Sequence, residues 1–450
     1  MAAEQDVKTE IEESPLLTVF RKEAHDTMLK RINLASAFKL SPEELRAEIE
    51  NFVFDFAQER RAQITKREQV AIARELVDDM IGLGPLEILL ADDTVSDIVV
   101  NGPHQIYVER RGTMQLTPVK FRDDAHLLQI AQRIAHRVGR RVDTSSPLCD
   151  ARLPDGSRVN IVVPPIALDG ASISIRKFSK KALDLHNLAE HGSLTEEMVG
   201  VLQIAATCGL NIIVSGGTGS GKTTLLNALS QLIPETERIV TCEDAAELKL
   251  QQPHVVRLES RPPNIEGKGE ITIRDLVKNA LRMRPDRIVI GEVRGEECID
   301  MLQAMNTGHD GSMSTVHANR ARETFIRLEN MVAMSGFDLP SEIVRAQIAG
   351  AVNMVVQTER LHDGSRKVTE IVEVTGVNER GDIQYNHLFK FVPLGETDDH
   401  KVIGRFDAQV DQPSFLDKAI VYGLDKKLLG LMRAAIDKSG GDRGSDEYSY

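Results

Sequence analysis

Three kinds of residue in this chain could do phosphate chemistry together: a glycine-rich loop ending in a lysine, acidic residues after short apolar runs, and one histidine. The loop is Gly216-Gly217-Thr218-Gly219-Ser220-Gly221-Lys222-Thr223-Thr224, which fits G-x-x-x-x-G-K-[ST] in full. Asn211 to Ser215 ahead of it reads as a short buried strand. Behind it, Leu225, Leu226, Leu229 and Ile233 fall on one helical face, and Pro234 stops the run. Strand, loop and helix in that order make a phosphate cradle. The backbone N–H groups from Gly217 to Thr224 are expected to surround phosphate oxygens at a helix N-terminus. Lys222 would reach the β- and γ-phosphates of ATP, and Thr223 would offer its hydroxyl to Mg²⁺. The plainer reading is a glycine-rich turn before a helix, and the agreement of motif with context argues against it.

In open α/β sheets ligands bind beyond the carboxyl ends of the strands. The run Arg238 to Cys242 reads as the next strand and delivers Glu243 and Asp244. Arg287 to Ile290 delivers Gly291 and Glu292, and Gly311 to Val316 delivers His317. Each has an ordinary structural use: Glu243 and Asp244 as helix-cap acids, Glu292 as a surface charge, His317 as a satisfied core histidine. Their recurrence at successive strand ends points to one site. Hydrolysis of a γ-phosphate needs one group to position the attacking water, one to hold the Mg²⁺ shell, and cations for the developing charge. Glu243 and Glu292 are the carboxylates available, and the sequence does not assign the water between them. Asp286 precedes its strand and lies at the wrong end, so Glu292 is the better acid for the metal, directly or through water. His317 could hydrogen-bond a γ-phosphate oxygen. The candidate arginines are Arg152, Arg158 and Arg176, on strands of the preceding segment, and Arg294 just after Glu292. Surface ion pairs are the alternative use of each.

The elements that must position these groups follow from pattern. The chain has 450 residues, room for about three domains. Residues 1–13 read as an acidic tail. Three amphipathic helices over 14–82 suggest a bundle, with capping boxes at Ser41/Glu44 and Thr65/Glu68. Residues 86–177 carry strand and hairpin signals around one helix, so a separate α+β domain is expected. Residues 178–192 read as a linker, Ser193 as the cap of the next helix, and 193–437 as the largest, α/β domain. Residues 438–450 read as a second tail. The hairpin around Asp363-Gly364 and the His387 region show late β-structure with no evident chemistry.

Composition narrows the function. Net charge is −13, aromatic content is 4% and Trp is absent, which argues against nucleic acid as the main partner. The cysteines, Cys149, Cys208, Cys242 and Cys298, have no zinc spacing and suit a reducing cytosol. No apolar run approaches the roughly 20 residues of a membrane span, so any membrane association is expected to come through a partner.

Taken together, these motifs resemble the type II/type IV secretion ATPase superfamily (GspE/PilT-like), over about residues 86–430. The Walker A loop is Gly216 to Thr224. The family's Asp box matches Thr241 to Leu248, its atypical Walker B matches Leu281 to Gly295, and its His box matches Thr307 to Asn319. The segment Arg257 to Gly269 is similar to the CpaF/TadA branch, which powers Tad (Flp) pilus assembly. The resemblance implies a RecA-like P-loop domain preceded by a small PAS-like α+β domain, with the helical bundle outside the shared core. It implies a cytoplasmic homohexamer that hydrolyses ATP with Mg²⁺ and acts on an inner-membrane platform protein. Arginines of the N-terminal side are then expected to complete the nucleotide site. Tad systems typically use one such motor, so retraction as well as extension is expected to depend on it. The alternatives are a conjugation- or effector-secretion ATPase of the same superfamily, a nucleic-acid translocase, and a small-molecule kinase.

Overall fold

The computed structural model describes residues 15–31, 41–110, 112–177, 183–261, 263 and 268–440. The tail expected over 1–13 lies outside them, as do residues 441–450 of the second; residues 438–440, expected in that second tail, are instead the end of a helix, Asp425–Gly440. The chain divides into two compact units, Met1–Ser179 and Lys180–Tyr450.

The first unit opens with helices α1 (Pro15–Arg31), α2 (Pro42–Glu59) and α3 (Lys66–Ile81). Both expected capping boxes form. Glu44 N–H donates to the Ser41 hydroxyl at 3.2 Å and Ser41 N–H donates back to the Glu44 carboxylate at 2.8 Å. Thr65 and Glu68 repeat the arrangement. Each cap is worth about 1 kcal/mol. Phe20, Ala24 and Met28 of α1 meet Leu45, Ile49, Val53 and Phe56 of α2 and Ile72 and Leu76 of α3 in one small core. A short helix, α4 (Leu86–Ala91), follows. It escapes sequence reading because six residues cannot display a helical period.

The rest of this unit is a six-stranded antiparallel sheet in the order β3-β2-β1-β6-β5-β4. Its strands are β1 (Val95–Asn101), β2 (Ile106–Arg110), β3 (Thr113–Leu116), β4 (Leu148–Arg152), β5 (Arg158–Val162) and β6 (Ser172–Arg176). Helix α5 (Asp124–Arg137) buries Leu127, Ile130 and Ile134 in a core with Ile98, Ile161 and Ile173 of the sheet. The same helix grips the end of the bundle. Arg133 Nη1 donates to the carbonyls of Asp79 and Gly82, both at 2.8 Å, and Arg137 donates to that of Ile81. These are carbonyls that the terminus of α3 leaves without intrahelical partners. Sequence reading treats bundle and sheet as separate bodies; in the structure they share one unit and this polar joint.

Asp78, near the end of α3, is strained electrostatically. Burial, then the nearby Glu87, pushes its carboxyl up to about 6, against the pull of Arg74 and Arg46. A carboxyl whose folded pKa is raised favours the native state most when protonated. Stability is therefore lost as pH climbs from about 4 to about 6 and stays lost above that. Asp78→Asn is expected to raise Tm by a few degrees at pH 7.5 and to leave it unchanged at pH 4. Thermal unfolding at the two pH values checks this.

The second unit is built on a nine-stranded sheet in the order β15-β14-β13-β12-β7-β11-β10-β8-β9. Strands β7 (Ile212–Gly216), β8 (Ile239–Glu243), β9 (Val255–Glu259), β10 (Arg287–Val293), β11 (Met313–His317) and β12 (Met354–Arg360) run parallel. Strands β13 (Arg366–Val377), β14 (Ile383–Glu396) and β15 (Val402–Ala408) extend it antiparallel. Alternate residues of one strand enter opposite cores. Ile212 and Val214 face one core, with α7 (Glu196–Thr207), α8 (Lys222–Ser230) and α14 (Asp425–Gly440). Ile213 faces the other, with α9 (Ile273–Ala280), α10 (Glu297–Asn306), α11 (Ala321–Met334) and α12 (Ser341–Ala351). A parallel sheet buried on both faces by helices is the doubly wound α/β arrangement.

Two local expectations are corrected. The segment expected as a linker over 178–192 contains helix α6 (Leu185–Glu190), capped by Asp184, with Leu185 in the core of the second unit. The cap of α7 is Thr195, whose hydroxyl accepts from Met198 N–H at 3.3 Å. Ser193 instead donates its N–H to Leu188. The α6 turn consumes Ser193 and moves the helix start two residues on. One more short helix, α13 (Leu416–Val421), precedes α14.

Candidate nucleotide site

Because β7, β11, β10 and β8 are parallel neighbours, their C-terminal ends lie side by side. Gly216, His317 and Glu243 are the last residues of β7, β11 and β8, and Glu292 is the last but one of β10. The order along the edge is therefore glycine loop, histidine, Glu292, Glu243. Asp286 sits at the opposite end of β10, where its carboxylate accepts from Arg238 N–H at 2.7 Å.

The loop needs its glycines. Gly219 and Gly221 have φ of +71° and +98°, a region that L side chains avoid. A Cβ on Gly216 would stand 2.3 Å from the Thr358 carbonyl oxygen. Lys222 and Thr223 then open α8. Lys222 is buried, and its Nζ donates to the carbonyls of Gly216 at 3.0 Å and Gly217 at 2.9 Å. The same Nζ lies 3.2 Å from His317 Nε2. Burial pushes the Lys222 pKa below its ordinary value, with Glu292 opposing and Arg294 adding to the shift.

His317 stands between the lysine and the acid. Its Nε2 is 3.1 Å from Glu292 Oε1. Burial, then Lys222, pulls its pKa down, while Glu292 pulls the other way. The net direction favours a neutral ring whose Nε2 accepts from the ammonium. The other oxygen of Glu292 accepts from Arg294 Nη2 at 2.5 Å, and Arg294 Nη1 lies 3.8 Å from Asp244. Lys222, His317, Glu292, Arg294 and Asp244 thus lie in one row along the edge, and while Lys222 occupies Nε2 the facing oxygen of Glu292 is left without a hydrogen bond.

Glu243 is held more rigidly. It is 2% exposed, and its Oε2 accepts from the N–H groups of Glu247 at 2.7 Å and Leu248 at 2.8 Å. Burial raises its pKa, and those two bonds oppose the rise. Gly291 makes room for it, since a Cβ there would come within 3.0 Å of Glu243 Cγ.

These residues fit a magnesium nucleotide on the evidence of polar atoms left without partners. Ser220 Oγ, Thr241 Oγ1, Glu243 Oε1 and Glu292 Oε1 are all buried and make no hydrogen bond. Buried polar atoms are normally satisfied, so such a group at the ends of adjacent strands marks the place of a polar ligand. Among the described residues no three of His, Cys, Asp and Glu are placed to hold a metal by themselves. The cysteines are buried and unpaired; burial pushes the Cys242 thiol up to about 12, far from reactivity.

Of the candidate site residues, the structure brings together Lys222, His317, Glu292, Arg294 and the loop from Gly217 to Thr224, with Glu243 on the next strand. Arg152, Arg158 and Arg176 lie in the first unit, where register aligns them side by side: Arg152 faces Arg158, Arg158 faces Arg176, and Arg176 faces Asp97. Adjacent like charges cost stability, and Arg176 recovers some of it through Asp97 at 3.2 Å.

Two residues missed in the sequence sit at the loop. Arg366 Nε donates to the Gly219 carbonyl at 2.9 Å, and Arg360 Nη1 lies 3.7 Å from where a Gly219 Cβ would stand. Both flank the Asp363-Gly364 turn that sequence reading leaves without chemistry. The strand-end rule would have found Arg360, because β12 is the parallel neighbour of β7 on its other side.

Residues 79–387 match the model of a family described as type II/IV secretion system protein. A putative conjugal transfer protein of Mycobacterium tuberculosis is 40% identical over 310 residues, covering 68% of this chain and 88% of that one. The type IV secretion system protein VirB11 of Bartonella quintana is 32% identical over 328 residues, covering 64% and 91%. The crystal structure of the VirB11 ATPase from the Brucella suis type IV secretion system, in complex with sulphate, is 33% identical across 64% of this chain and 94% of that one, with a TM-score of 0.35. With the glycine loop and every strand end of the candidate site inside the matched stretch, the chain belongs to the type II/IV secretion system protein family.

Proposed function

We propose that this protein is an ATPase that powers a type II/IV secretion or pilus machine, working as a cytoplasmic homohexameric ring on an inner-membrane platform protein. The observation that carries the reading is the row of Lys222, His317, Glu292 and Glu243 on adjacent parallel strand ends beside a complete P-loop. Family membership supports it, and so does the word ATPase in the description of the Brucella suis relative. Among the described residues no helix is long and apolar enough to cross a membrane.

In the proposed cycle Lys222 exchanges the carbonyls of Gly216 and Gly217 for the β- and γ-phosphates. That swaps neutral acceptors for anionic ones, which adds direct ion–ion attraction to bonds already assisted by the ammonium charge. Bound Mg²⁺ would supply charge neutralisation at the phosphates, held by Thr223 and Glu292. Glu243 positions the attacking water: its carboxyl is fixed through one oxygen, the other is buried without a partner, and its raised pKa suits a proton acceptor. His317, released by Lys222, hydrogen-bonds the γ-phosphate and reports its loss to Glu292. Arg294, beside Glu292, supplies a cation for the developing charge.

Two cargo readings remain, each with its own support. The segment Arg257 to Gly269 favours the Tad pilus branch, though residues 262 and 264–267 of it lie outside the described residues. The names of the relatives, conjugal transfer protein and VirB11, favour the conjugation or effector-secretion alternative. A chromosomal Lys222→Ala strain separates them. Loss of surface pili with DNA and effector transfer intact supports the pilus; the reverse supports secretion; both functions intact would contradict the proposal.

A further inference from the structure

The glycine loop is held from outside by a hairpin that the proposed hydrolysis does not use. Strand β12 pairs with β7 so that Thr358 lies opposite Gly216. The chain leaves the sheet after Arg360, turns, and returns as β13 with Arg366 opposite Arg360. The turn is well fixed: one Asp363 oxygen accepts from Ser365 N–H at 2.9 Å and from its hydroxyl at 2.7 Å, and the other accepts from Val402 N–H at 2.9 Å. Two donors on this hairpin then reach consecutive carbonyls of the loop. Arg366 Nε bonds the carbonyl of Gly219, and the Thr358 hydroxyl bonds the carbonyl of Ser220, each at 2.9 Å.

In a trans peptide the C=O and the following N–H point in opposite directions within one plane. Fixing the Gly219 carbonyl toward the hairpin therefore aims the Ser220 N–H away from it, into the loop, where it makes only a long 3.4 Å bond to the Gly217 carbonyl that a phosphate oxygen would replace. Fixing the Ser220 carbonyl aims the Gly221 N–H in the same way. These are amides of the loop that cradles phosphate, and a bond to one end of a peptide also polarises the other. The Arg366 bond is charge-assisted, and the glycines let it come close: a Cβ on Gly221 would be 3.3 Å from Arg366 Cδ. Among the described residues Arg366 makes no ion pair that would divert it.

We propose that Arg366 is a positioning residue of the nucleotide site. It orients the Gly219–Ser220 peptide so that the Ser220 N–H faces the polyphosphate, and Thr358 does the same for the Gly221 N–H. The inference rests on the nucleotide reading of the loop and adds a specificity to it. The pre-set amides favour nucleoside di- and triphosphates over the monophosphate, because the backbone amides of such a loop close around the β-phosphate, which the monophosphate lacks.

The test is binding of fluorescent ADP, ATP and AMP analogues to the full-length protein, with steady-state ATP turnover alongside. In Arg366→Ala the Kd for ADP and ATP should rise about tenfold, the worth of one charge-assisted hydrogen bond, while that for AMP stays put. KM should rise with Kd and kcat should change little, since the amide binds ground state and transition state alike. Arg366→Lys should recover most of the affinity, and Thr358→Val should show a smaller loss of the same kind. Unchanged ADP and ATP affinity in both Arg366→Ala and Thr358→Val, with Lys222→Ala still weakening them, would overturn the inference and leave the nucleotide reading standing. Equal weakening of AMP, ADP and ATP would overturn it too, since that is the mark of general damage to the unit. Binding that Lys222→Ala does not weaken would instead remove the nucleotide reading itself.

Discussion

Lys222→Ala is expected to lower ATP turnover by at least 10²–10³-fold, about the cost of losing one preorganised charge stabiliser. The fold should survive. The carbonyls that lose the ammonium, those of Gly216 and Gly217, belong to a loop whose next residues, Thr218 and Gly219, are exposed, so water can replace it. The neighbourhood should respond as well. Lys222 is one of the charges that hold the His317 pKa down, and Glu292 pulls it up. Without the lysine the ring should titrate at higher pH, which NMR of the histidine can follow. Unaltered turnover in this variant would remove the loop from the chemistry.

Glu243→Gln is the second large effect. Glutamine is nearly isosteric, and its oxygen can still accept from Glu247 and Leu248, so the tight fit against Gly291 is kept. What is lost is a proton acceptor at the unpartnered oxygen. Turnover should fall about 10²–10⁴-fold, the range for a general base, while magnesium-dependent ATP binding persists. Glu292→Gln provides the contrast. If Glu292 serves the metal, its loss should raise the Mg²⁺ concentration needed for half-maximal turnover, and Glu243→Gln should leave that concentration alone. Rapid-mix turnover over a Mg²⁺ series separates the two. The opposite pattern would exchange the roles.

The strand ends were legible because each is a short run of aliphatic and small residues, free of charge, followed at once by an ionisable residue: Ile239-Val240-Thr241-Cys242 before Glu243, Met313-Ser314-Thr315-Val316 before His317. Such runs signal a strand buried on both faces, and the position of the polar residue follows. The helices of the bundle were legible from their caps. What escaped depends on length or on tertiary contact. Helices α4 and α6 are six residues each, too short for periodicity. The cap moved from Ser193 to Thr195 because α6, unseen in the sequence, takes up the intervening turn. Arg360 and Arg366 gain meaning only from the pairing of β12 with β7, a partnership between residues about 140 apart. The alignment of Arg152, Arg158 and Arg176 was likewise invisible, since register across β4, β5 and β6 is not written in any one strand.

The most direct test of the central claim is ATP turnover of the purified full-length protein over a concentration series, beside Lys222→Ala. A ring motor with this site predicts specific activity that climbs as subunits assemble and is lost in the variant at every concentration. Turnover that is the same in both proteins would contradict the account.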